Sequence, residues 1–234
     1  MSEPRPRIAV LVFPGSQDDG DAALALELVG ADALLVWHGE PELPDVQAVV
    51  LPGGFSYGDY LRCGAMARFS PVMRSVAAFA DAGGPVLGIC NGFQILCEAG
   101  LLPGVLRRND SLRFLCRDVD LVVARAREPF TSRCAVGDRL TIPAKHGEGA
   151  FYAPPELLAE LQRNDQVVLR YAPGDNPNGS VDDIAGVVNA AGNVMGLMPH
   201  PEHAVEALLG PTGGVAILGS LVDAARARLA APVG

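Results

Sequence analysis

The sequence lacks a signal or membrane-spanning pattern at its N-terminus, and it has little positive charge. The apolar run at residues 8–13 (IAVLVF) is far too short to cross a membrane or to form the core of a signal peptide. Lys and Arg number 18 against 27 Asp and Glu, and the net charge of −9 argues against a large surface for nucleic acid or an anionic membrane. We therefore expect a cytosolic protein with neither a nucleic-acid nor a membrane partner.

The cysteines show no pairing pattern. There are five, an odd number, and no two of them form a CxxC motif: Cys63, Cys90, Cys97, Cys116 and Cys134. A disulfide framework or a zinc site is therefore not expected. Because a free cysteine behaves as a small apolar side chain, most of the five are expected to be buried fillers of the core.

Short apolar runs alternate with helix-forming segments in the first half of the chain. The predicted strands are 8–13, 33–37, 46–51 and 85–89, and the predicted helices, each closed by glycine, are 21–30, 71–84 and 91–100. Fully apolar strands that alternate with helices indicate βα units. We predict an α/β fold with an open, mostly parallel sheet flanked by helices.

The second half has a different pattern. After Gly104, strand-type residues continue without helix stops through 112–126, 139–153 and 167–174, and residues 187–199 are typical of two strands around a turn. These segments predict additional antiparallel strands and long loops, before a closing amphipathic helix over 213–230. Because no repeat, low-complexity tract or linker separates the halves, we expect a single domain over residues 1–234.

One cysteine occupies a special position in the stretch VLGICNGFQ, residues 86–94. Cys90 lies between a predicted strand and a predicted helix, and Gly88 and Gly92 flank it. This G-x-C-x-G pattern is the cysteine form of the nucleophile elbow, a strand-to-helix turn at the edge where parallel sheets bind ligands. The helix N-terminus there favours the thiolate. These five residues alone fit a nucleophile and a packed core cysteine equally well, whereas Cys97 is expected in the core.

A thiol nucleophile needs a base, and the base needs an orienting group. In GLMPHPEH, residues 196–203, His200 follows an apolar run, and Pro201 favours an extended backbone at His200. In that conformation His200 and Glu202 point the same way, and the carboxylate could fix the tautomer of the imidazole. A loop histidine beside a surface glutamate is the commoner outcome. His203 could take the same role, although no Glu stands two residues after it.

Acyl chemistry also needs donors for a developing oxyanion. The stretch LPGGF, residues 51–55, ends the third predicted strand. The main-chain N–H groups of Gly54 and Asn91 are the candidate donors, and an ordinary turn is the alternative for the two glycines. Chance does not readily explain three such features, each at the end of an apolar run.

Together, LPGG, GICNGFQ and PHPE resemble the motifs of class I, triad-type glutamine amidotransferases. The segments GGFSYGDYLR (53–62), RNDSLRF (108–114) and HGEG (146–149) are more specifically similar to the glutaminase subunits of phosphoribosylformylglycinamidine synthase, in purine biosynthesis. The resemblance spans nearly the whole chain. It departs from the family at Gln17 and Asp18, where Asn-Cys is frequent, and at His203, where Arg is frequent.

The resemblance implies roles for individual residues. It implies a triad of nucleophile, base and orienting carboxylate at Cys90, His200 and Glu202, oxyanion amides at Gly54 and Asn91, and substrate contacts at Gln94, Asn109 and Ser111. The implied reaction is hydrolysis of L-glutamine to glutamate and ammonia. The ammonia would serve a partner that converts formylglycinamide ribonucleotide to formylglycinamidine ribonucleotide.

The resemblance also implies partners and excludes cofactors on this chain. No metal or organic cofactor is expected here, and ATP and Mg would be used by a large synthetase subunit, since the chain has no Walker A lysine motif. A small bridging subunit is the second implied partner, and exposed residues of GGFSYGDYLRCG and AKHGEG are candidates for the contact surface. The alternatives are the glutaminase subunit of a different amidotransferase, an elbow-cysteine hydrolase of the peptidase or chaperone type, and a catalytically silent scaffold that binds a partner.

Overall fold

The computed structural model describes residues 4–230, and within them the chain forms eleven β-strands and five α-helices. The strands are β1 (Arg7–Val12), β2 (Asp32–Trp37), β3 (Ala48–Leu51), β4 (Val86–Ile89), β5 (Val105–Arg107), β6 (Leu115–Val123), β7 (Arg139–His146), β8 (Ala150–Tyr152), β9 (Val167–Tyr171), β10 (Ile184–Val188) and β11 (Val194–Leu197). The helices are α1 (Asp19–Leu28), α2 (Val72–Asp81), α3 (Asn91–Glu98), α4 (Pro155–Arg163) and α5 (Gly214–Ala230). The ends of the predicted domain, 1–3 and 231–234, lie outside the described residues.

Nine strands from both halves of the chain form one sheet, in the order β2-β1-β3-β4-β11-β10-β9-β6-β7. The first five strands of that order run parallel to one another. Strands β3 and β4 are buried along their whole length, which accounts for their uninterrupted apolar sequences. The predicted α/β fold, with a parallel sheet, flanking helices and added antiparallel strands, is confirmed.

The second half contributes more than the predicted antiparallel strands. Strands β10, β9, β6 and β7 are each antiparallel to their neighbours, as predicted. Strand β11, however, pairs in parallel with β4, in a register that puts Gly196 beside Gly88. The turn between β10 and β11 reverses the chain, so that β11 regains the direction of the first four strands.

Two elements were not predicted from the sequence. Helix α4 begins with Pro155 at its first turn and buries Leu161, and its sequence PELLAELQR has the helical spacing of apolar residues that we did not assign. The short strand β5 pairs antiparallel with β8 in a separate two-stranded sheet. The predicted strand region 139–153 is divided into β7 and β8 by the glycines at 147 and 149.

The cysteines differ in part from the prediction of buried fillers. All five are free, but only Cys90 is buried; Cys63, Cys97 and Cys134 are half-buried, and Cys116 is exposed. Cys116 lies in the first part of β6, where the strand is covered only from Val119 onward. None of the helices in residues 4–230 combines the length and the apolar character needed to span a membrane.

Candidate active site

Cys90 lies at a sharp turn between β4 and α3. Its φ of 50° and ψ of −103° are rarely adopted by L-residues, a strain of about 1–3 kcal/mol that the surrounding packing must hold. A Cβ on Gly88 would lie 2.5 Å from Cδ1 of Leu96, and one on Gly92 would lie 2.0 Å from the carbonyl oxygen of Leu51. The close packing of strand and helix therefore requires both glycines, and the predicted elbow is confirmed.

The parallel strands bring distant segments to the edge of the sheet where Cys90 lies. Because β1, β3, β4 and β11 run in the same direction, the segments that follow them meet at their carboxyl ends. These segments are residues 13–18 after β1, 52–55 after β3 and 198–203 after β11. The order of the strands thus explains how motifs far apart in the sequence form one site.

His200 and Glu202 form a buried pair. Nδ1 of His200 is 2.6 Å from Oε1 of Glu202, and the two side chains are 1% and 0% exposed. The main-chain N–H of His200 donates to the carbonyl of Pro143 at 2.8 Å, which attaches it to β7. The predicted contact is present, but the backbone differs from the extended one that we expected, because Pro201–His203 forms a 3-10 turn.

The charges around His200 favour the imidazolium form. Burial alone would lower the pKa of His200, but the carboxylate of Glu202 and the thiolate of Cys90 outweigh burial and raise the pKa to about 10. Within residues 4–230, Nε2 of His200 has no hydrogen-bond partner at ordinary length, and it is the nitrogen left for Cys90. Sγ of Cys90 lies 3.8 Å from the carbonyl oxygen of Lys145. The structure thus brings Cys90, His200 and Glu202 together in the arrangement of a triad.

The loop that carries Gly54 is held against the segment after β1. The N–H of Phe55 donates to the carbonyl of Gly15 at 2.9 Å, and that of Gln17 donates to the carbonyl of Gly53 at 3.2 Å. These two bonds lie on either side of Gly54, and neither of them uses its own N–H group. The φ of Gly54 is 143°, a backbone conformation that favours glycine. Gly54 lines the same cavity as the thiol of the elbow. Its role as an oxyanion donor stays a prediction.

The side chains of Asn91 and Gln94 connect the elbow to its surroundings. Nδ2 of Asn91 donates to Oε1 of Gln94 at 2.9 Å, and Oδ1 of Asn91 accepts from the N–H of Ser56 at 3.1 Å. Nε2 of Gln94 donates to the carbonyl of Glu148 at 2.6 Å, and Gln94 lines the cavity. The oxyanion role of the Asn91 N–H, which follows Cys90 directly, and the substrate contact of Gln94 both remain predictions.

Asn109 and Ser111 form hydrogen bonds within their own loop and to the neighbouring segment. Asn109 is 0% exposed, its Nδ2 donates to the carbonyls of Arg113 and His146, and its Oδ1 accepts from the N–H of Gly149. Ser111 is exposed, and its Oγ accepts from the N–H of Arg113. Neither is among the residues that line the cavity. In this structure both side chains fix the backbone of the loop, and direct substrate contact by Asn109 and Ser111 stays a prediction.

A cavity of about 330 Å³ opens beside Cys90. Small-molecule sites range from about 300 to 1,000 Å³, so this cavity suits a small ligand. Its lining carries both signs of charge, from Asp18, Asp59, Arg108, Arg113, Lys145 and Glu148. The carboxylate of Glu148 accepts from Nε of Arg108 at 3.2 Å and from Sγ of Cys63 at 3.3 Å. A ligand with a positive and a negative group therefore finds partners of both signs in one cavity.

Several cavity residues were not predicted to lie at the site. Exposed residues of 144–149 (AKHGEG) were candidates for a contact surface, but the segment is buried or half-buried, and residues 145–148 line one wall of the cavity. Asp18, whose departure from the family pattern was noted, is also at the cavity. Nζ of Lys145 is 2.5 Å from Oδ1 of Asp18, although 127 positions separate the two residues. The HGEG motif is the only sequence signal that pointed to this wall.

The described residues contain one group of side chains that resembles a set of metal ligands. Asp18, His200, Glu202 and His203 bring one ligand-type atom each to within 4.8 Å of one another. The ammonium group of Lys145 already pairs with Asp18 in this group. We therefore assign the positive charge at this place to Lys145, and we assign no metal site.

The fold and the geometry at Cys90 together define a class: an α/β protein with a cysteine elbow, a histidine and a buried carboxylate, as in enzymes that cleave amides through a thioester. Comparison with known proteins gives the family. Residues 5–212 match the CobB/CobQ-like glutamine amidotransferase domain, and the chain belongs to this family.

Curated relatives are similar over almost the whole chain. The phosphoribosylformylglycinamidine synthase subunit PurQ of Salinibacter ruber is 56% identical and covers 93% of this chain and 96% of its own. The subunit of the same name from Mycobacterium tuberculosis is 57% identical, with 93% of this chain and 97% of its own covered. These relatives support the assignment of the chain as a glutamine amidotransferase.

Solved structures agree with this assignment. A chain in the structure of PurLQS from Thermotoga maritima is 44% identical, with a TM-score of 0.87, and the match covers 94% of this chain and 99% of that one. A glutamine amidotransferase from the same organism is 18% identical with a TM-score of 0.59, covering 95% of this chain and 99% of its own, and shows a common fold.

Proposed function

We propose that this chain is the glutaminase subunit of a phosphoribosylformylglycinamidine synthase. It hydrolyses L-glutamine and delivers the ammonia to a synthetase subunit that converts formylglycinamide ribonucleotide to formylglycinamidine ribonucleotide. The contact geometry of Cys90, His200 and Glu202 carries the glutaminase part of this proposal. The names of the relatives, at more than half identity over most of the chain, support the particular synthase.

In the first half of the reaction, the thiolate of Cys90 attacks the side-chain carbonyl carbon of glutamine. The C–S bond forms, and the negative charge moves to the carbonyl oxygen, to which the N–H groups of Gly54 and Asn91 would donate. When the tetrahedral intermediate collapses, the C–N bond breaks and the imidazolium of His200 gives a proton to the leaving nitrogen, so that neutral ammonia departs. A γ-glutamyl thioester remains on Cys90.

In the second half, His200 acts as a base. The thioester has no negative charge, so the thiolate that helped to raise the pKa of His200 is gone. The pKa of His200 therefore falls, and the neutral imidazole forms more readily. His200 takes a proton from water while the water oxygen attacks the thioester carbonyl, and the C–S bond then breaks. Glutamate leaves, and the thiolate–imidazolium pair is restored. Glu202 keeps Nδ1 protonated throughout and leaves Nε2 for the proton transfers.

The ammonia acceptor and its cofactors belong to the partners in this proposal. ATP and Mg act on the large synthetase subunit, and a small bridging subunit completes the complex. A surface next to the cavity suits such contacts, because Tyr60 and Leu61 are 76% and 85% exposed and follow directly after the cavity residue Asp59. Leu112, itself in the cavity lining, is 78% exposed. Exposed apolar side chains in one region are typical of protein interfaces.

The experiment that tests the proposal compares two nitrogen sources in the reconstituted complex. Cys90→Ser is expected to abolish glutamine-dependent synthesis of formylglycinamidine ribonucleotide and to leave ammonia-dependent synthesis within twofold of the native complex. Cys116→Ser, at an exposed cysteine outside the cavity, is the matched control and should preserve both activities. Loss of both activities by Cys90→Ser in an intact complex, or co-purification of this chain with an unrelated synthetase, would refute the proposal.

A further inference from the structure

Asp18 is a buried carboxylate at the edge of the active site that the proposed triad does not use. Its side chain is 4% exposed, and it stands at the N-terminus of α1, whose dipole favours a negative charge. Burial acts to raise the pKa of Asp18. Hydrogen bonds from His203 and Lys145 and the charges of His200 and Lys145 outweigh it, and the pKa lies well below its usual range. Asp18 is therefore an anion wherever the enzyme works.

This anion lies beside the imidazole of His200. Oδ2 of Asp18 is 3.6 Å from Nδ1 of His200, while Oε1 of Glu202 is 2.6 Å from the same nitrogen. Glu202 takes the hydrogen bond, and Asp18 adds a second negative charge at the same side of the ring. A Cβ on Gly53 would lie 2.3 Å from Oδ2 of Asp18 and 2.7 Å from Cε1 of His200. The first glycine of LPGG is thus required for the two side chains to pack against this loop.

The residues that depart from the family pattern meet at this place. Asp18 stands where the family often has Cys, and His203 stands where it often has Arg. Oδ1 of Asp18 is 3.3 Å from Nε2 of His203 and 2.5 Å from Nζ of Lys145. The side chain of Lys145 is 34% exposed, and both Lys145 and Asp18 line the cavity, so this ion pair lies at the ligand space.

We infer that Asp18 acts as a second carboxylate on the imidazole of His200, and that Lys145 balances its charge. This inference rests on the proposed function, because it concerns the base of the same reaction. Asp18 is a positioning residue: it touches the base, and it raises the pH at which the imidazolium loses its proton. Lys145 has the opposite effect, because its cation offsets the charge of Asp18.

The groups that face His200 from all neighbouring segments are the ones that must be considered in a pH profile. They are Asp18 from the segment after β1, Cys90 from the elbow, Lys145 and His146 from β7, and Glu202 and His203 from the 3-10 turn. Of these, Asp18 and Lys145 can be neutralised while the proposed triad stays intact. Their charges have opposite signs, so their removal has opposite expected effects.

The test is the pH dependence of glutaminase kcat/KM in the reconstituted complex. An opposite charge within about 4–6 Å shifts a pKa by about 1–3 units. Asp18→Asn is therefore expected to move the basic limb of the pH profile to lower pH, by at least about one pH unit. Lys145→Met is expected to move the same limb up. Asp21→Asn, at an exposed acid in the first turn of α1, is the matched control and should not move it. Ammonia-dependent synthesis reports on assembly of each variant.

The outcomes separate the inference from the proposed function. Shifts of opposite sign for Asp18→Asn and Lys145→Met, with the control unchanged, support the inference. An unmoved basic limb in an assembled Asp18→Asn complex, or shifts of the same sign in both variants, overturns it. If Asp18→Asn does not assemble, the direction of the Lys145→Met shift decides, and a downward or absent shift overturns the inference. Absence of glutaminase activity in the native complex would instead refute the proposed function.

Discussion

His146 gives the chain an acid sensitivity whose size follows from its surroundings. Asn178 has a fixed orientation, because its Oδ1 accepts from the N–H of Ser180 at 3.0 Å and its Nδ2 donates to the carbonyl of Gly149 at 2.9 Å. Nδ2 of Asn178 is therefore the atom that lies 3.0 Å from Nε2 of His146. An amide NH2 group cannot accept a hydrogen bond, so Nε2 faces it without a proton, and the imidazole is neutral with its proton on Nδ1.

The cost of this arrangement can be worked out from the pKa. Burial, and then the charge of His200, lower the pKa of His146 from 6.5 to about 3. Between these two values the unfolded chain binds a proton that the folded chain does not, so stability is full above pH 6.5 and falls as the pH drops. At pH 5 the difference amounts to about 2 kcal/mol of unfolding free energy.

Denaturant unfolding of the native chain and of His146→Gln at pH 7.5 and pH 5.0 measures this difference. A glutamine oxygen can accept from Asn178, but it does not titrate. The native chain is expected to lose about 2 kcal/mol more than the variant between the two pH values. Because both proteins contain the other titrating groups, the comparison cancels their contributions to the pH dependence. One of these groups is His200, whose raised pKa has the opposite effect, since its contribution to stability is lost as the pH rises above 6.5. An equal loss in both proteins would refute the reasoning.

Two further predictions concern catalysis and assembly. Glu202→Gln keeps an oxygen that can accept from Nδ1 of His200 but removes the buried charge. It should lower glutaminase kcat about 10³–10⁴-fold while ammonia-dependent synthesis continues. A loss of kcat below tenfold would contradict the orienting role. Leu61→Glu places a charge on the exposed surface beside the cavity and should weaken co-elution with the synthetase subunit at least tenfold. The control is Leu35→Glu, at a residue that is 58% exposed on the edge strand β2, and it should not weaken co-elution. Equal co-elution of both variants would show that Leu61 is not in the interface.

The parts of the site that were predictable are those encoded within a few residues. Gly88 and Gly92 on either side of Cys90 indicate the elbow, because the tight turn requires small residues at fixed positions close to the cysteine in sequence. The pair of His200 and Glu202 is likewise local, and it forms although the backbone between them is a 3-10 turn instead of a strand. Strands β3 and β4 were recognisable because burial on both faces removes polar residues from them, whereas β2 has an apolar sequence although it lies at the exposed edge of the sheet.

What could not be predicted depends on contacts between distant segments. Asp18 and Lys145 are 127 positions apart, and only the order of the strands brings them together. Asn109 matches a substrate-loop motif, but its burial depends on packing against residues 146–149, which its own sequence neighbourhood does not contain. The exposure of Cys116 similarly follows from how far β6 extends beyond its cover. Helix α4 is different, because the spacing of its apolar residues indicates a helix from the sequence alone.

The most direct test of the account asks which cysteine reacts with a glutamine-like electrophile. The assembled complex is treated with a stoichiometric glutamine analogue that carries an electrophilic side chain, and labelled peptides are identified by mass spectrometry. One equivalent is expected on Cys90, excess glutamine should block it, and Cys90→Ser should abolish it. Cys63 and Cys97 should stay unlabelled, because burial raises the pKa of each thiol. An unlabelled Cys90, or preferential labelling of the exposed Cys116, would contradict the claim that Cys90 is the nucleophile.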